Sequence, residues 1–289
     1  MINVTGKTKV LGIIGNPIEH SLSPIIQNRA IATLNLDYIY VPFAVPSDKI
    51  ETALEGLMAV NVRGFNVTIP HKQTVIPFLT TITDTAKLIG AVNTVWLESD
   101  GWHGTNTDID GFLAPLTALN RDWESITPII LGNGGAARAV VVACAKLGCQ
   151  EIKVVGRNLE KLEDFNNSWD YNLLKSQICV HSWHDLADLL PQSDLVVNTT
   201  PVGMSPQTDK SPLTIPEVSL LNPRAIVYDL IYTPRPTLLL QQAEKRGLVT
   251  IDGAQMLVQQ GAVGFTLWTG KQAPVDEMTE ALFGALEIN

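Results

Sequence analysis

Two side chains in the first part of the chain have the chemistry to move a proton. Lys72 lies in GFNVTIPHK and Asp108 in GTNTD. An amine with an ordinary pKa of ~10.4 exchanges protons near neutral pH only where burial or neighbouring charge changes it. Asp108 is the carboxylate expected to hold and orient the Lys72 ammonium. Around the pair lie short polar side chains: Ser21 and Ser23 in NPIEHSLSP, Asn66 and Thr68 in FNVTIP, Asn93 in AVNT and Asn106 in GTNTD. Hydroxyls and carboxamides of this kind suit a small polyhydroxylated ligand, because each ligand hydroxyl taken out of water needs a partner. A lone Lys–Asp pair is more often structural; the polar setting is what argues for chemistry. A metal is not expected. His181 and His184 form H-x-x-H, but nothing nearby completes a ligand set, and His20 and His71 in polar turns read as structural.

The second half of the chain supplies a partner for proton transfer. LGNGGAARA places Gly132, Gly134 and Ala137 in the pattern G-x-G-x-x-[GA], after the apolar run PIIL and before an apolar helix. Glycines there permit a tight turn and a close approach of backbone to a pyrophosphate, and the helix N-terminus offers N–H donors. At the end of the next strand, VVGRN, stands Arg157, where an NAD-binding chain would carry Asp or Glu. A guanidinium grips a 2′-phosphate that a carboxylate would repel, so NADP is expected. The cofactor set comprises Gly132, Gly134, Gly135, Ala136 and Ala137 of the loop, then Arg157, Asn158 and Lys161. Thr199 and Met204 of NTTPVGM and Gly253 at the start of the last segment complete it. Arg138 is a further cation beside the phosphates.

These side chains need strands and helices to carry them. KVLGIIG (Lys9–Gly15), YIYVPF and GFNVTIP (Gly64–Pro70) read as strands, each followed by a helical stretch. The first of those helices has Ser23 as N-cap and Pro24 at its first position. AVNTVWLE and GWHGTNTD read as a hairpin turning at Ser99–Gly101. From Thr127 strands alternate with helices through EIKVVG, DLVVNTT, AIVYDL and LVTIDG, which implies a parallel sheet covered on both faces. Residues 253–289 read as one long helical pattern, which cannot bury its apolar face alone and so packs back on the first domain. The expected fold is therefore two α/β domains. Residues 1–108 plus 253–289 form a substrate-binding and catalytic domain to which the C-terminal helices return. Residues 109–252 form a doubly wound, Rossmann-type NADP domain.

Bulk properties narrow the function class. The chain has 289 residues, 45% hydrophobic, and a formal net charge of −9. That acidity argues against general nucleic-acid binding. The apolar stretch at the N-terminus is short and closes on glycine and proline, unlike a secretory signal, and no segment reads as a membrane span. Three cysteines without a CxxC suit free thiols in a reducing compartment, so a cytoplasmic location is expected. Monomer and homodimer both stay open.

The segments GNPIEHSLSP, FNVTIPHK, IGAVNT, GTNTDIDGF, GNGGAARA, NTTPVGM, DLIYTP and DGAQMLVQQGAVGF, in this order, resemble the shikimate dehydrogenases. The resemblance implies NADP-linked interconversion of shikimate and 3-dehydroshikimate on the route to chorismate and the aromatic amino acids. It also implies an active site in the cleft between two α/β domains. It gives Ser21 and Ser23 to the substrate carboxylate and Asn66, Thr68, Asn93 and Gln260 to ring hydroxyls. Lys72 and Asp108 become the catalytic pair, and Tyr232 lies near substrate and nicotinamide. From the residues alone Gln259 and Gln260 are equivalent. Two departures from the family pattern stand out: Gln27 replaces a frequent His, outside the expected chemistry, and the cofactor strand ends Gly156, Arg157, Asn158 rather than Asn-Arg-Thr. Two alternatives remain at this stage: a dual quinate/shikimate dehydrogenase, and a catalytically silent, metabolite-sensing relative, which would tend to lose the lysine or the aspartate.

Overall fold

A computed structural model describes residues 4–170, 173–174 and 176–288. The chain divides into two compact units, residues 1–111 with 257–289, and residues 112–256.

The first unit opens with strand β1 (Lys9–Gly15), helix α1 (Ser23–Thr33), β2 (Tyr38–Ala44), α2 (Ile50–Ala59) and β3 (Gly64–Val67). Then follow the single turn α3 (His71–Thr74), β4 (Thr81–Ile82), α4 (Asp84–Ile89), the hairpin β5 (Thr94–Glu98) and β6 (Gly101–Thr105), and the first turn of α5 (Asp108–Thr117), whose residues from Phe112 belong to the second unit. The strand order is β2-β1-β3-β5-β6-β4. β1 pairs in parallel with β2 and β3, while β3–β5 and β5–β6 are antiparallel, so this sheet is mixed. The hairpin turns where Ser99–Gly101 places it, with Gly101 at φ +132°. Ser23 is not the cap of α1. Leu22 holds that position without a side-chain bond, Ser23 is the first helical residue, and the turn is stabilised one step earlier by Ser21 Oγ accepting from the Ser23 N–H at 3.3 Å. The strand expected over Gly64–Pro70 ends at Val67, because Thr68–Pro70 turn into α3.

The second unit contains β7 (Pro128–Leu131), α6 (Gly135–Leu147), β8 (Glu151–Gly156), α7 (Leu159–Asn167), β9 (Gln177–Ser182) and α8 (Leu186–Leu189). It continues with β10 (Leu195–Asn198), α9 (Ile215–Leu220), β11 (Ile226–Asp229), α10 (Leu238–Lys245) and β12 (Val249–Ile251). All its pairings are parallel, in the order β12-β11-β10-β7-β8-β9. The doubly wound order is read outward from β7, with the switch between β7 and β10. β7, β10 and β11 are buried at every position, as strands covered on both faces require.

The long C-terminal pattern is two helices, α11 (Gly253–Thr269) and α12 (Val275–Ile288). Gly270 in the left-handed region at φ +67° and Pro274 break it. From Leu257 onward these helices belong to the first unit, where Trp268 donates its ring N–H to Val95 O at 2.9 Å. Its ring occupies the space a Cβ on Gly64 would need. Among the described residues, no helix is long and apolar enough to cross a membrane.

Candidate active site

The carboxyl ends of β1 and β3 are neighbours in a parallel pair, with Ile14 opposite Val67. Each feeds a polar loop. The Asn16 N–H donates to Ile69 O at 3.0 Å, which ties the loop carrying Ser21 and Ser23 to the one carrying Thr68. Gly15 leaves room for the Thr68 methyl, which a Cβ would strike at 2.5 Å. Ser23 is buried; Ser21 and Thr68 are half-buried.

Lys72 sits in the single turn α3 just after β3. That turn is pinned from inside by His71, fully buried, whose Nε2 lies 2.7 Å from Val45 O. The backbone of Lys72 accepts from the Val92 N–H at 2.7 Å. Its Nζ donates to Asp108 Oδ2 at 2.6 Å, with side-chain exposures of 30% and 12%. Asp108 begins α5, so its charge stands at a helix N-terminus, where a negative group is favoured. Its N–H donates to Asn106 Oδ1 at 3.0 Å, and Asn106 Nδ2 donates to Ala91 O at 3.1 Å. Asn106, expected among the ligand-facing groups, is therefore part of the framework that sets Asp108.

Asn93 joins the rest. Its Nδ2 donates to Asp108 Oδ1 at 2.8 Å and to Gln260 Oε1 at 3.4 Å. Its Oδ1 accepts from the Thr107 N–H at 2.8 Å and from Thr94 Oγ1 at 2.9 Å. Asn66 accepts from the Tyr40 hydroxyl at 2.7 Å and donates to Asn93 O and Thr94 Oγ1, both at 3.1 Å. Lys72, Asp108, Asn93, Gln260 and Asn66 thus form one connected network. Gln260, not Gln259, is the glutamine of α11 that reaches Asn93. Gln27 is almost wholly buried and donates to Gly261 O at 2.9 Å, holding α1 against α11. Sequence reasoning missed Tyr40, Thr94 and Thr107. Tyr40 lies inside the apolar strand pattern YIYVPF and gives no signal; the two threonines each follow an asparagine in NT, a repeated pair that did stand in view.

In the second unit the glycine-rich loop leaves β7 at the switch between β7 and β10. Gly132 has φ +104°, and a Cβ there would meet Thr199 Oγ1 at 2.8 Å. Thr199 follows β10 and donates through Oγ1 to Leu131 O at 2.7 Å, so the two loops lock together at that point. Gly134 caps α6 without a side-chain bond, which leaves first-turn N–H groups for an anion. A Cβ on Gly134 or Gly135 would meet nothing within 4 Å, so the space above the loop is open; Ala136 is exposed and Ala137 is buried under the helix.

Arg157 and Lys161 are exposed, and among the described residues neither has an ion-pair partner. Asn158 spends its side chain capping α7, accepting from the Lys161 N–H at 3.0 Å. These features fit a dinucleotide with a phosphorylated ribose. Arg138 is engaged elsewhere: its guanidinium lies 4.3 Å over the Trp169 ring and donates to Ser168 Oγ at 2.6 Å, and burial pushes its pKa down. Met204 is exposed, and Gly253 is buried with no room for a Cβ against Leu230 O. Tyr232 is half-buried, and burial pushes its hydroxyl pKa up.

Two family models match the chain: a shikimate dehydrogenase substrate binding domain over residues 13–95, and a shikimate 5'-dehydrogenase C-terminal domain over residues 253–283. Over 285 residues, 99% of both chains, it is 54% identical to the shikimate dehydrogenase (NADP(+)) of Gloeothece citriformis. The chain belongs to the shikimate dehydrogenase family. A shikimate dehydrogenase solved in complex with NADP+ superposes with a TM-score of 0.88 at 36% identity, covering 98% of each chain. That of Thermus thermophilus, solved with NADP(H) and shikimate, gives 0.85 at 30% identity, covering 96% of this chain and 100% of the other. Membership in the shikimate dehydrogenase family makes the chain an oxidoreductase acting on a CH–OH group with NADP, built as two α/β units with a Rossmann-type second one.

Proposed function

We propose that this chain is a shikimate dehydrogenase that interconverts 3-dehydroshikimate and shikimate with NADP, with Lys72 as the proton-transfer residue and Asp108 as its anchor. The observation that carries the assignment of roles is the 2.6 Å Lys72–Asp108 contact, extended through Asn93 to Gln260. The first unit is the substrate-binding and catalytic domain, and the second binds NADP.

Ser21 and Ser23 receive the substrate carboxylate. Thr68, Asn66, Asn93 and Gln260 face the ring hydroxyls, and the 3.4 Å Asn93–Gln260 contact is the one a ligand hydroxyl enters. In the oxidative direction Lys72 Nζ takes the proton of the reacting hydroxyl. Asp108 Oδ2 holds the nitrogen in place, and Oδ1 is held in turn by Asn93. Bound NADP+ supplies the hydride acceptor. Gly132, Gly134, Gly135, Ala136 and Ala137 cradle its pyrophosphate and Arg157, with Lys161 and Asn158 beside it, the 2′-phosphate. Thr199, Met204, Gly253 and Tyr232 line its nicotinamide end. The enzyme works in the cytoplasm as a monomer or homodimer.

The test is the absorbance of NADPH formed from shikimate and NADP+, run beside quinate and NAD+. Turnover confined to shikimate with NADP+ is the expected result. Equal efficiency on quinate overturns the substrate assignment, and binding without turnover overturns the enzymatic one.

A further inference from the structure

Asp229 is fully buried, yet nothing in the proton or hydride chemistry uses it. It ends β11 directly opposite Asn198, which ends β10 and is equally buried. An ionised carboxylate inside a protein is expensive, and stability alone is served better by an apolar side chain. Here it accepts three hydrogen bonds. Asn198 Nδ2 donates to Oδ1 at 2.9 Å, the Ile231 N–H donates to the same oxygen at 3.1 Å, and Thr237 Oγ1 donates to Oδ2 at 2.7 Å.

A carboxylate only accepts, so it dictates which way its partners point. With Nδ2 turned to Asp229, Asn198 must present Oδ1 to the loop after β10. There it takes the Thr200 N–H at 3.0 Å and Thr200 Oγ1 at 2.7 Å. Thr200 Oγ1 in turn accepts from the Val202 N–H at 3.2 Å. With its hydroxyl hydrogen turned to Asp229, Thr237 has lone pairs left to cap α10 at the Leu240 N–H. One buried charge thereby fixes both ends of the Leu230–Pro236 loop and the start of the Thr199–Met204 loop. These are the loops that carry Tyr232, Thr199 and Met204.

We infer that Asp229 is a positioning residue: through Asn198 and Thr237 it holds the two strand-end loops in the shape that receives the nicotinamide end of the dinucleotide. The inference rests on the NADP-binding reading of the second unit.

The test compares wild type with Asp229→Ala, Asp229→Asn and Thr200→Val. It measures NADP+ affinity by titration calorimetry without substrate, shikimate affinity without cofactor, steady-state kinetics and thermal midpoint. Asp229→Ala is expected to weaken NADP+ binding about tenfold or more, the scale of a lost hydrogen bond to a charged group. It also lowers kcat, with shikimate affinity unchanged. Asp229→Asn keeps an oxygen for Asn198 and Ile231 and is expected to bind NADP+ within about threefold of wild type. Thr200→Val leaves the buried carboxylate alone and is expected to weaken NADP+ binding severalfold at an unchanged thermal midpoint.

Wild-type NADP+ affinity and kcat in folded Asp229→Ala and Thr200→Val overturn the inference while leaving the cofactor reading in place. If Asp229→Ala does not fold, wild-type affinity in Thr200→Val is enough to overturn it. A wild-type protein that binds no NADP+ overturns the reading, and the inference with it.

Discussion

Gln260 of α11 accepts from Asn93 Nδ2 at 3.4 Å, across 167 positions of sequence, and Asn93 passes the link on to Asp108 at 2.8 Å. Helix α11, late in the chain, therefore supplies a wall of the polar network built by residues 40–108. Gln260→Ala is expected to raise the KM for shikimate about two- to tenfold, the worth of one neutral hydrogen bond, with a smaller effect on kcat. Gln259→Ala, one position away on the same helix, is expected to leave both constants near wild type. Steady-state kinetics on the two variants separates them.

Lys72→Ala is expected to lower kcat by roughly 10²–10⁴-fold, with little change in KM, because proton transfer belongs to the transition state. Circular dichroism should show a folded protein, since α3 is held by buried His71 rather than by the lysine. A drop of only a few-fold would reduce Lys72 to a binding group.

Arg157 is exposed and without an ion-pair partner among the described residues, so its removal should cost little stability. Arg157→Ala is expected to weaken NADP+ binding about ten- to a hundredfold, the scale of charge-assisted bonds to one phosphate. NAD+ binding should stay as it is. The NADP+ loss should shrink at high salt, where the wild-type contact is itself screened.

Two glycines of the cofactor set should respond in opposite ways. Gly134 has an ordinary φ of −88° and open space around it. Gly134→Ala is expected to keep the wild-type thermal midpoint and lose NADP+ affinity, because only a bound pyrophosphate needs that space. Gly253→Ala drives a methyl into Leu230 O and is expected to destabilise by about 1–3 kcal/mol or more. A thermal melt and an NADP+ titration on each variant decide both.

Burial pushes the Asp229 carboxyl from its usual 3.8 up to about 6, against three hydrogen bonds that pull it down; nearby Asp252, itself paired with Arg235, adds to the rise. A carboxyl whose folded value is raised favours the folded state most below its unfolded value, and loses that contribution as pH climbs through about 6. Wild type should therefore lose stability relative to Asp229→Asn between about pH 4 and pH 7. Denaturant midpoints of the two proteins across that range give the measurement; a constant difference would contradict a raised value.

The strands of the second unit were plain in the sequence, because a strand buried on both faces is written as an unbroken apolar run such as PIIL, LVV or IVY. The glycine-rich loop was plain for a related reason: it needs particular backbone angles at Gly132, and few residues allow them. Asparagine was harder. Asn106 read as a ligand group beside Asn66 and Asn93, yet its carboxamide is spent on the Asp108 N–H and the Ala91 carbonyl. A carboxamide that braces a loop and one that meets a ligand look alike until the partners are known. The start of α1 misled for a similar reason: Ser23 has the type of a cap, yet Leu22 holds that position without a side-chain bond, and Ser21 Oγ only steadies the preceding turn. Asp229 and Asn198 offered one unused clue, a polar residue closing each of two adjacent apolar runs.

The division of the chain has a consequence for its synthesis. Residues 112–256 are contiguous, whereas the first unit is interrupted by them and closed by residues 257–289. Trp268, which fills the place beside Gly64 and Val95, leaves the ribosome long after the sheet it completes. Domains form as units during translation, generally from the N-terminus onward. Here the order is inverted: the second unit has all its strands before the first has its last wall, so the unit begun first is the one finished last.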